Sequence, residues 1–154
     1  MQYLETPIPV GKGLAPLSEE SEKALHDNLV LVVEDDLALR PLWEQAFKSI
    51  GGRVRVDWAT SMEEAERLIR FRFQAGAPYQ LVVADIFLEG KGSGIDLWNR
   101  YGEEANNFVF VSGLPLPKFE FLMSLNFGCP LYLKKPLSPK ACREIAEMVF
   151  QKDE

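Results

Sequence analysis

The stretch Leu29-Val30-Leu31-Val32-Val33 runs without a break into three carboxylates, Glu34-Asp35-Asp36, and a second apolar run, Leu81-Val82-Val83-Ala84, ends in a lone Asp85. A short continuous apolar run is the pattern of a strand buried on both faces, and one that stops in acid delivers that acid to an edge of the sheet. Like charges gathered there repel by about 4 kcal/mol per pair at 4 Å with an effective dielectric near 20. The cluster calls for a cation.

The 154 residues, 47% hydrophobic and 26% charged, suit one domain with a single core and are too few for two good ones. A net charge of -6 lacks the basic face of a nucleic-acid binder, so no direct nucleic-acid partner is expected. Cys129 and Cys142 form no CxxC pair and His26 is the only histidine, which supports neither a disulfide framework nor a zinc site. Both thiols read as reduced core fillers. No apolar run approaches the roughly 18 residues of a membrane span, and Met1-Gln2-Tyr3-Leu4-Glu5 lacks the regions of a signal peptide. A cytoplasmic protein without membrane partners is expected.

Residues 1–27 hold Pro7, Pro9, Gly11, Gly13 and Pro16, then the polar Ser18-Glu19-Glu20-Ser21-Glu22-Lys23. That composition breaks regular structure, and predicts an extension with one short helix near Glu19–His26. Beyond the first strand, Leu39, Leu42, Trp43, Ala46, Phe47 and Ile50 form one stripe of an amphipathic helix, closed by Gly51-Gly52. Arg53–Trp58 alternates as a half-exposed strand, and Thr60 with Glu63 predicts a capping box opening a helix through Phe73. Pro78 turns the chain into the Asp85 strand.

The glycine-rich Glu89-Gly90-Lys91-Gly92-Ser93-Gly94 is a loop, and Ile95, Leu97, Trp98 and Tyr101 predict a short helix after it. Phe108–Val111 is a buried strand ending at Ser112-Gly113, and Pro115 and Pro117 delay the next helix to Lys118–Leu125. Leu131–Leu133 is a fifth strand, running into Lys134-Lys135-Pro136. Ser138 as N-cap and Pro139 at the first helical position start a last helix, with Cys142, Ile145, Ala146 and Val149 inward. Strands alternating with helices in this way imply right-handed crossovers and an α/β doubly wound parallel sheet. Its site belongs beyond the carboxyl ends of the strands, where every polar group above falls.

Taken together, Val32-Val33-Glu34-Asp35-Asp36, Asp85-Ile86-Phe87-Leu88, Val111-Ser112-Gly113 and Tyr132-Leu133-Lys134-Lys135-Pro136, in that order, resemble the receiver domain of two-component response regulators. The resemblance covers residues 28–151, leaving 1–27 as a flexible N-terminal extension and 152–154 as a tail. It implies a flavodoxin-like (βα)5 fold, a five-stranded parallel sheet in the order 2-1-3-4-5. It also implies a phosphoacceptor rather than an enzyme with a separate substrate, capable only of Mg2+-assisted self-phosphorylation and autodephosphorylation.

On that resemblance Asp85 accepts a phosphoryl group from a histidine kinase or phosphotransfer protein as an acyl phosphate. Asp35 and Asp85 share a Mg2+, with Glu34 reaching it through water and the backbone carbonyl of Phe87 adding a neutral oxygen, a ligand set that suits this ion. Asp36 is a bystander. Lys135 pairs with the phosphoryl group, aimed by a loop that Pro136 fixes, while Lys134 is left to a surface salt bridge. Ser112 donates its hydroxyl to a phosphoryl oxygen, although a serine at a strand end is also an ordinary cap. Tyr132, three residues before Lys135, matches the family's aromatic switch, with a half-buried strand tyrosine as the plain alternative.

Two departures stand out. Glu89 occupies a place where many receivers have proline, in a loop one residue longer than the common form. Phe87 and Leu114, two residues beyond Asp85 and Ser112, are apolar at positions that often tune hydrolysis in the family, which predicts slow autodephosphorylation. Because the chain ends just past the last helix, output is expected through contact with a downstream protein. Phe119, Phe121, Leu122, Met123, Leu125 and Phe127 exceed what one inward stripe needs, which predicts a phosphorylation-tuned interface, homodimeric in one version. Plain core packing, with Phe119, Leu122 and Met123 inward, is the other reading. An aspartate-nucleophile phosphatase would need a second acid where Phe87 stands, and a flavin phosphate would be repelled by Glu34-Asp35-Asp36. The remaining alternative is a non-phosphorylated receiver-like scaffold for protein interaction, against which the Asp85, Asp35 and Lys135 set argues.

Overall fold

The computed structural model describes residues 28–51, 53–88, 93–124 and 130–150. Five strands, β1 (Asn28–Val33), β2 (Val54–Ala59), β3 (Leu81–Asp85), β4 (Phe108–Ser112) and β5 (Leu131–Lys134), form one parallel sheet in the order β2-β1-β3-β4-β5. The connecting helices are α1 (Arg40–Ser49), α2 (Met62–Gln74), α3 (Gly94–Tyr101) and α4 (Leu116–Ser124), and α5 (Pro139–Phe150) follows β5. This is the doubly wound flavodoxin-like arrangement that the sequence pattern and the resemblance imply. The winding reverses at β1, and the register Val33↔Ala84 brings the ends of β1 and β3 out side by side.

Alternate residues of β1 explain its unbroken apolar run. Leu29, Leu31 and Val33 pack against Ala65 and Ile69 of α2, Leu97 of α3 and Phe119 of α4 on one face. Val30 and Val32 pack against Trp43 and Phe47 of α1 and Ile145 and Val149 of α5 on the other. Each such side chain contributes roughly 1.5–3 kcal/mol of burial, so slipping the register of β1 is prohibitive and its carboxyl end is fixed. Cys142 lies in the second layer, and burial pushes its thiol up to about 11, as befits an inert core filler.

Several local boundaries differ from the sequence expectation. Leu39 belongs to a 3-10 turn, Leu37–Leu39, ahead of α1, and beyond the last helical residue, Ser49, Gly51 with a positive φ of 77° turns the chain away. β2 runs one residue later than expected at each end. The cap of α2 is also one residue late: the Ser61 hydroxyl accepts from the Glu64 N–H at 3.2 Å, and Glu64 accepts from the Thr60 N–H at 2.9 Å. Thr60 and Ser61 can both cap, and the inward stripe Met62, Ala65 and Ile69 selects the second. Helix α4 begins at Leu116 rather than Lys118, because Pro117 falls in the first turn, where no N–H donor is required. In that helix Phe119 and Met123 are buried, whereas Phe121 is 65% exposed.

Helix α5 follows the expectation, with the Ser138 hydroxyl accepting from the Ala141 N–H at 3.0 Å and Cys142, Ile145, Ala146 and Val149 inward. The N-terminal extension and its short helix, Gly52, the loop 89–92, Leu125, Phe127, Cys129 and the tail 152–154 lie outside the described residues. Among the described residues no helix is long and apolar enough to cross a membrane.

Candidate functional site

Four strand ends build the site. β1 carries Glu34 and Asp35, β3 ends on Asp85, β4 on Ser112, and β5 runs into Lys135. Glu34, Asp85 and Ser112 are the buried polar residues of the described chain, and three such groups at one rim need compensating partners. Lys135 supplies part of this. Its ammonium donates to Asp85 Oδ2 at 3.0 Å and lies 3.2 Å from Glu34 Oε1, so one cation bridges two buried acids from different strands.

Backbone donors complete the hold. The Phe87 N–H donates to Asp85 Oδ1 at 3.1 Å, and the Asp36 N–H donates to Glu34 Oε2 at 3.2 Å. The Lys135 N–H donates to the Ser112 carbonyl at 2.7 Å, tying the lysine loop to the serine, and the Lys135–Pro136 peptide is cis. Asp36 turns outward and accepts from the Ala38 N–H at 3.0 Å, a capping role that accounts for the third acid of the run. Lys134 is exposed.

Carboxylate oxygens of Glu34, Asp35 and Asp85 lie within 4.8 Å of one another. An all-oxygen anionic set with an open side fits Mg2+, which takes one or two carboxylates, keeps several waters and rejects softer donors. Burial is the main force on Glu34; together with the Asp85 charge it raises the carboxyl to about 7, against the opposing pull of the Asp36 N–H and Lys135. For Lys135, burial acts downward but its pairs with Asp85 and Glu34 outweigh it, and the ammonium is held above its ordinary value. The Lys135 direction reflects the two acids beside it, whereas the Glu34 direction reflects burial first and the Asp85 charge second.

Ser112 and Tyr132 form a second layer. The Ser112 hydroxyl accepts from the Leu114 N–H at 3.0 Å, while the Tyr132 hydroxyl donates to the Ser112 carbonyl at 3.1 Å and to the Leu114 carbonyl. The tyrosine ring stacks on Phe119 with centroids 4.1 Å apart, so it is folded inward. Beside it, Phe87, Leu114, Pro117, Lys118, Phe121 and Leu122 line an open cavity of about 520 Å3. Two of its walls, Phe87 and Leu114, are the residues whose N–H groups bind Asp85 and Ser112.

All seven residues singled out in the sequence thus gather at one rim. The sequence reading passed over Ser93, Gly94 and Asp96. Ser93 and Asp96 form a reciprocal capping box at the start of α3, and the Gly94 N–H donates to the Ile86 carbonyl at 2.9 Å. The Ser-x-x-Asp spacing carried that signal.

No protein-family model and no curated protein matches the chain. Solved structures do. A two-component response regulator from Clostridium difficile superposes with a TM-score of 0.65 at 21% identity, covering 81% of this chain and 97% of that one. The non-phosphorylated HemR receiver domain from Leptospira biflexa gives 0.62 at 24% identity, covering 82% and 97%. A CheX-CheY-BeF3-Mg complex from Borrelia burgdorferi gives 0.64 at 21%, covering 81% and 90%. The chain has the fold of response regulator receiver domains.

Proposed function

We propose that the chain is the phosphoacceptor receiver of a two-component phosphorelay, taking a phosphoryl group on Asp85 from a histidine kinase or phosphotransfer protein in the cytoplasm. The observation that carries this reading is the Lys135 ammonium, which bridges Asp85 and Glu34 at 3.0 and 3.2 Å beside the third acid, Asp35. In the transfer an Asp85 carboxylate oxygen attacks phosphorus in line, the O–P bond forms as the P–N bond breaks, and the electron pair leaves with the imidazole, which takes up a proton. Asp35, Asp85 and the Phe87 carbonyl, with Glu34 through water, would hold Mg2+, which would supply charge neutralisation for the acids and the transferring oxygens.

Each protein group then has a task. The Phe87 N–H orients the carboxylate through Oδ1, and Lys135 exchanges its carboxylate contact for a phosphoryl oxygen. Ser112 turns its hydroxyl to the phosphoryl group and gives up its contact with the Leu114 N–H. Because Tyr132 is bonded to the same two residues, that exchange shifts the population of Tyr132 rotamers. The exposed Phe87 and Phe121 and the cavity between them would meet a downstream protein, or a second copy of the chain, in a manner that depends on phosphorylation. The chain performs no reaction on a separate substrate, and with Phe87 and Leu114 shielding the acyl phosphate its hydrolysis is slow.

The Borrelia burgdorferi neighbour, a complex with BeF3 and Mg, suggests the probe. BeF3- should bind only when Mg2+ is present and shift the amide resonances of Ser112, Leu114 and Tyr132, with no shift in Asp85→Asn. Binding without Mg2+, or equal binding by Asp85→Asn, would count against the reading.

A further inference from the structure

Gly94 is the first residue of α3, and it touches the site from behind. A Cβ built there would stand 2.3 Å from the carbonyl oxygen of Asp85 and 3.1 Å from both the Asp85 carbonyl carbon and the Ile86 Cα. These are backbone atoms of the last residue of β3 and of the buried residue after it, with no flexible side chain to move aside. The same residue donates its N–H to the Ile86 carbonyl at 2.9 Å, closing the loop that opens with Phe87. The Ser93 hydroxyl, accepting from the Asp96 N–H at 3.2 Å, and Asp96, accepting from the Ser93 N–H at 3.1 Å, lock the helix start in place.

Two elements of the site hang on this clamp. The Asp85 carboxylate is oriented by the Phe87 N–H, and the Phe87 carbonyl is the neutral oxygen of the proposed ligand set. We infer that Gly94 is a positioning residue for the divalent cation: its bare Cα lets α3 fix the peptide units of Asp85, Ile86 and Phe87, and thereby sets carboxylate and carbonyl in register. The inference rests on the Mg2+ site proposed above. Any side chain at this position must push helix and strand end apart by about 1 Å, a displacement that matters for an ion demanding near-ideal octahedral geometry.

The opposite end of α3 provides a control. A Cβ at Gly102 would meet the Trp98 ring at 2.5 Å, so an alanine there also strains the helix, but against a side chain and away from the rim. Mg2+ affinity is measured by titration of the full chain, together with the melting temperature of each variant. Gly94→Ala should weaken Mg2+ binding at least tenfold, Ser93→Ala two- to threefold, and Gly102→Ala less than twofold despite a lower melting temperature. Mg2+ affinity of Gly94→Ala within twofold of wild type would overturn the inference, as would an equal loss in Gly102→Ala, which marks a general effect of destabilisation. If Gly94→Ala does not fold, Ser93→Ala against Gly102→Ala decides by the same criterion. A wild-type chain that binds no Mg2+ refutes the proposed metal site itself, a result separate from either variant outcome.

Discussion

Two clusters of acid and cation lie on this sheet, and their charge balance is opposite. At β2 the Asp57 carboxylate accepts from the Tyr79 hydroxyl at 2.7 Å and from Arg72 at 3.4 Å, with Arg55 at 3.9 Å, so one acid has two guanidinium groups. Burial, with Asp57 next in effect, holds the Tyr79 hydroxyl protonated well above its ordinary range. At the carboxyl rim three acids gather, and among the described residues the ion pairs there are those of Lys135 with Glu34 and Asp85. The first cluster balances its acid with two guanidinium groups, although Arg72 Nε is left buried without a hydrogen-bond partner among the described residues, and it ties β2 and α2 to the approach to β3. The second keeps an anionic surplus, with Glu34 and Asp85 buried, and that surplus is what a cation can use, which would in turn offset the charge of a phosphoryl group.

The contrast can be broken most severely at Lys135. Lys135→Met should slow phosphorylation by acetyl phosphate by about 10^2–10^3, the scale of losing a preorganised charge stabiliser. Without Mg2+ it should also cost about 3 kcal/mol of stability in urea unfolding, because two buried acids lose their partner, and Mg2+ should restore much of that. Arg72→Met should destabilise with and without Mg2+ alike and leave phosphorylation intact.

A middle-sized effect separates the clusters by pH. The Glu34 carboxyl is raised from 4.5 to about 7 in the folded chain, so between these values the folded state holds a proton that the unfolded chain has lost. Its contribution is most favourable to folding at the acid end and fades as pH rises through about 7. Mg2+ would displace that proton, so its affinity should fall as pH drops below about 7, by up to about tenfold in all. Glu34→Gln should abolish this dependence and weaken Mg2+ binding by about tenfold; an unchanged pH profile in that variant would show that another group governs it. Asp57→Asn should leave the profile as it is.

The smallest effects concern groups at the margin of each cluster. Tyr79→Phe should cost about 1 kcal/mol for one buried hydrogen bond. Asp36→Ala should cost about 0.5–1 kcal/mol for a lost cap. Neither should alter Mg2+ affinity, and a large loss in Asp36→Ala would promote that acid from cap to ligand.

How far the sequence revealed this difference depends on the range of the forces involved. The strands leading to Glu34, Asp85 and Ser112 were legible because a doubly buried strand needs an apolar residue at every position, the edge strand before Lys135 was legible from the short run Leu131–Leu133, and the order of these ends followed from the resemblance. The cap of α2 was misplaced by one residue because Thr60 and Ser61 are chemically equivalent and only the packing of Ala65 and Ile69 distinguishes them. Pro117 looked like a delay and is tolerated inside the first turn of α4. The pairing of Asp57 with Arg72 and Tyr79 was not read at all, since it joins three elements across sequence separations of 15 and 22 residues. The inward stacking of Tyr132 on Phe119 and the approach of Gly94 to Asp85 were hidden for the same reason: each is a tertiary contact with no local pattern.

The central claim is that the anionic surplus exists to make Asp85 a phosphoacceptor. Intact mass after incubation with acetyl phosphate and Mg2+ tests it most directly. The wild-type chain and Asp57→Asn should each gain one phosphoryl group, and Asp85→Asn none; no gain in the wild type, or an undiminished gain in Asp85→Asn, would contradict the account.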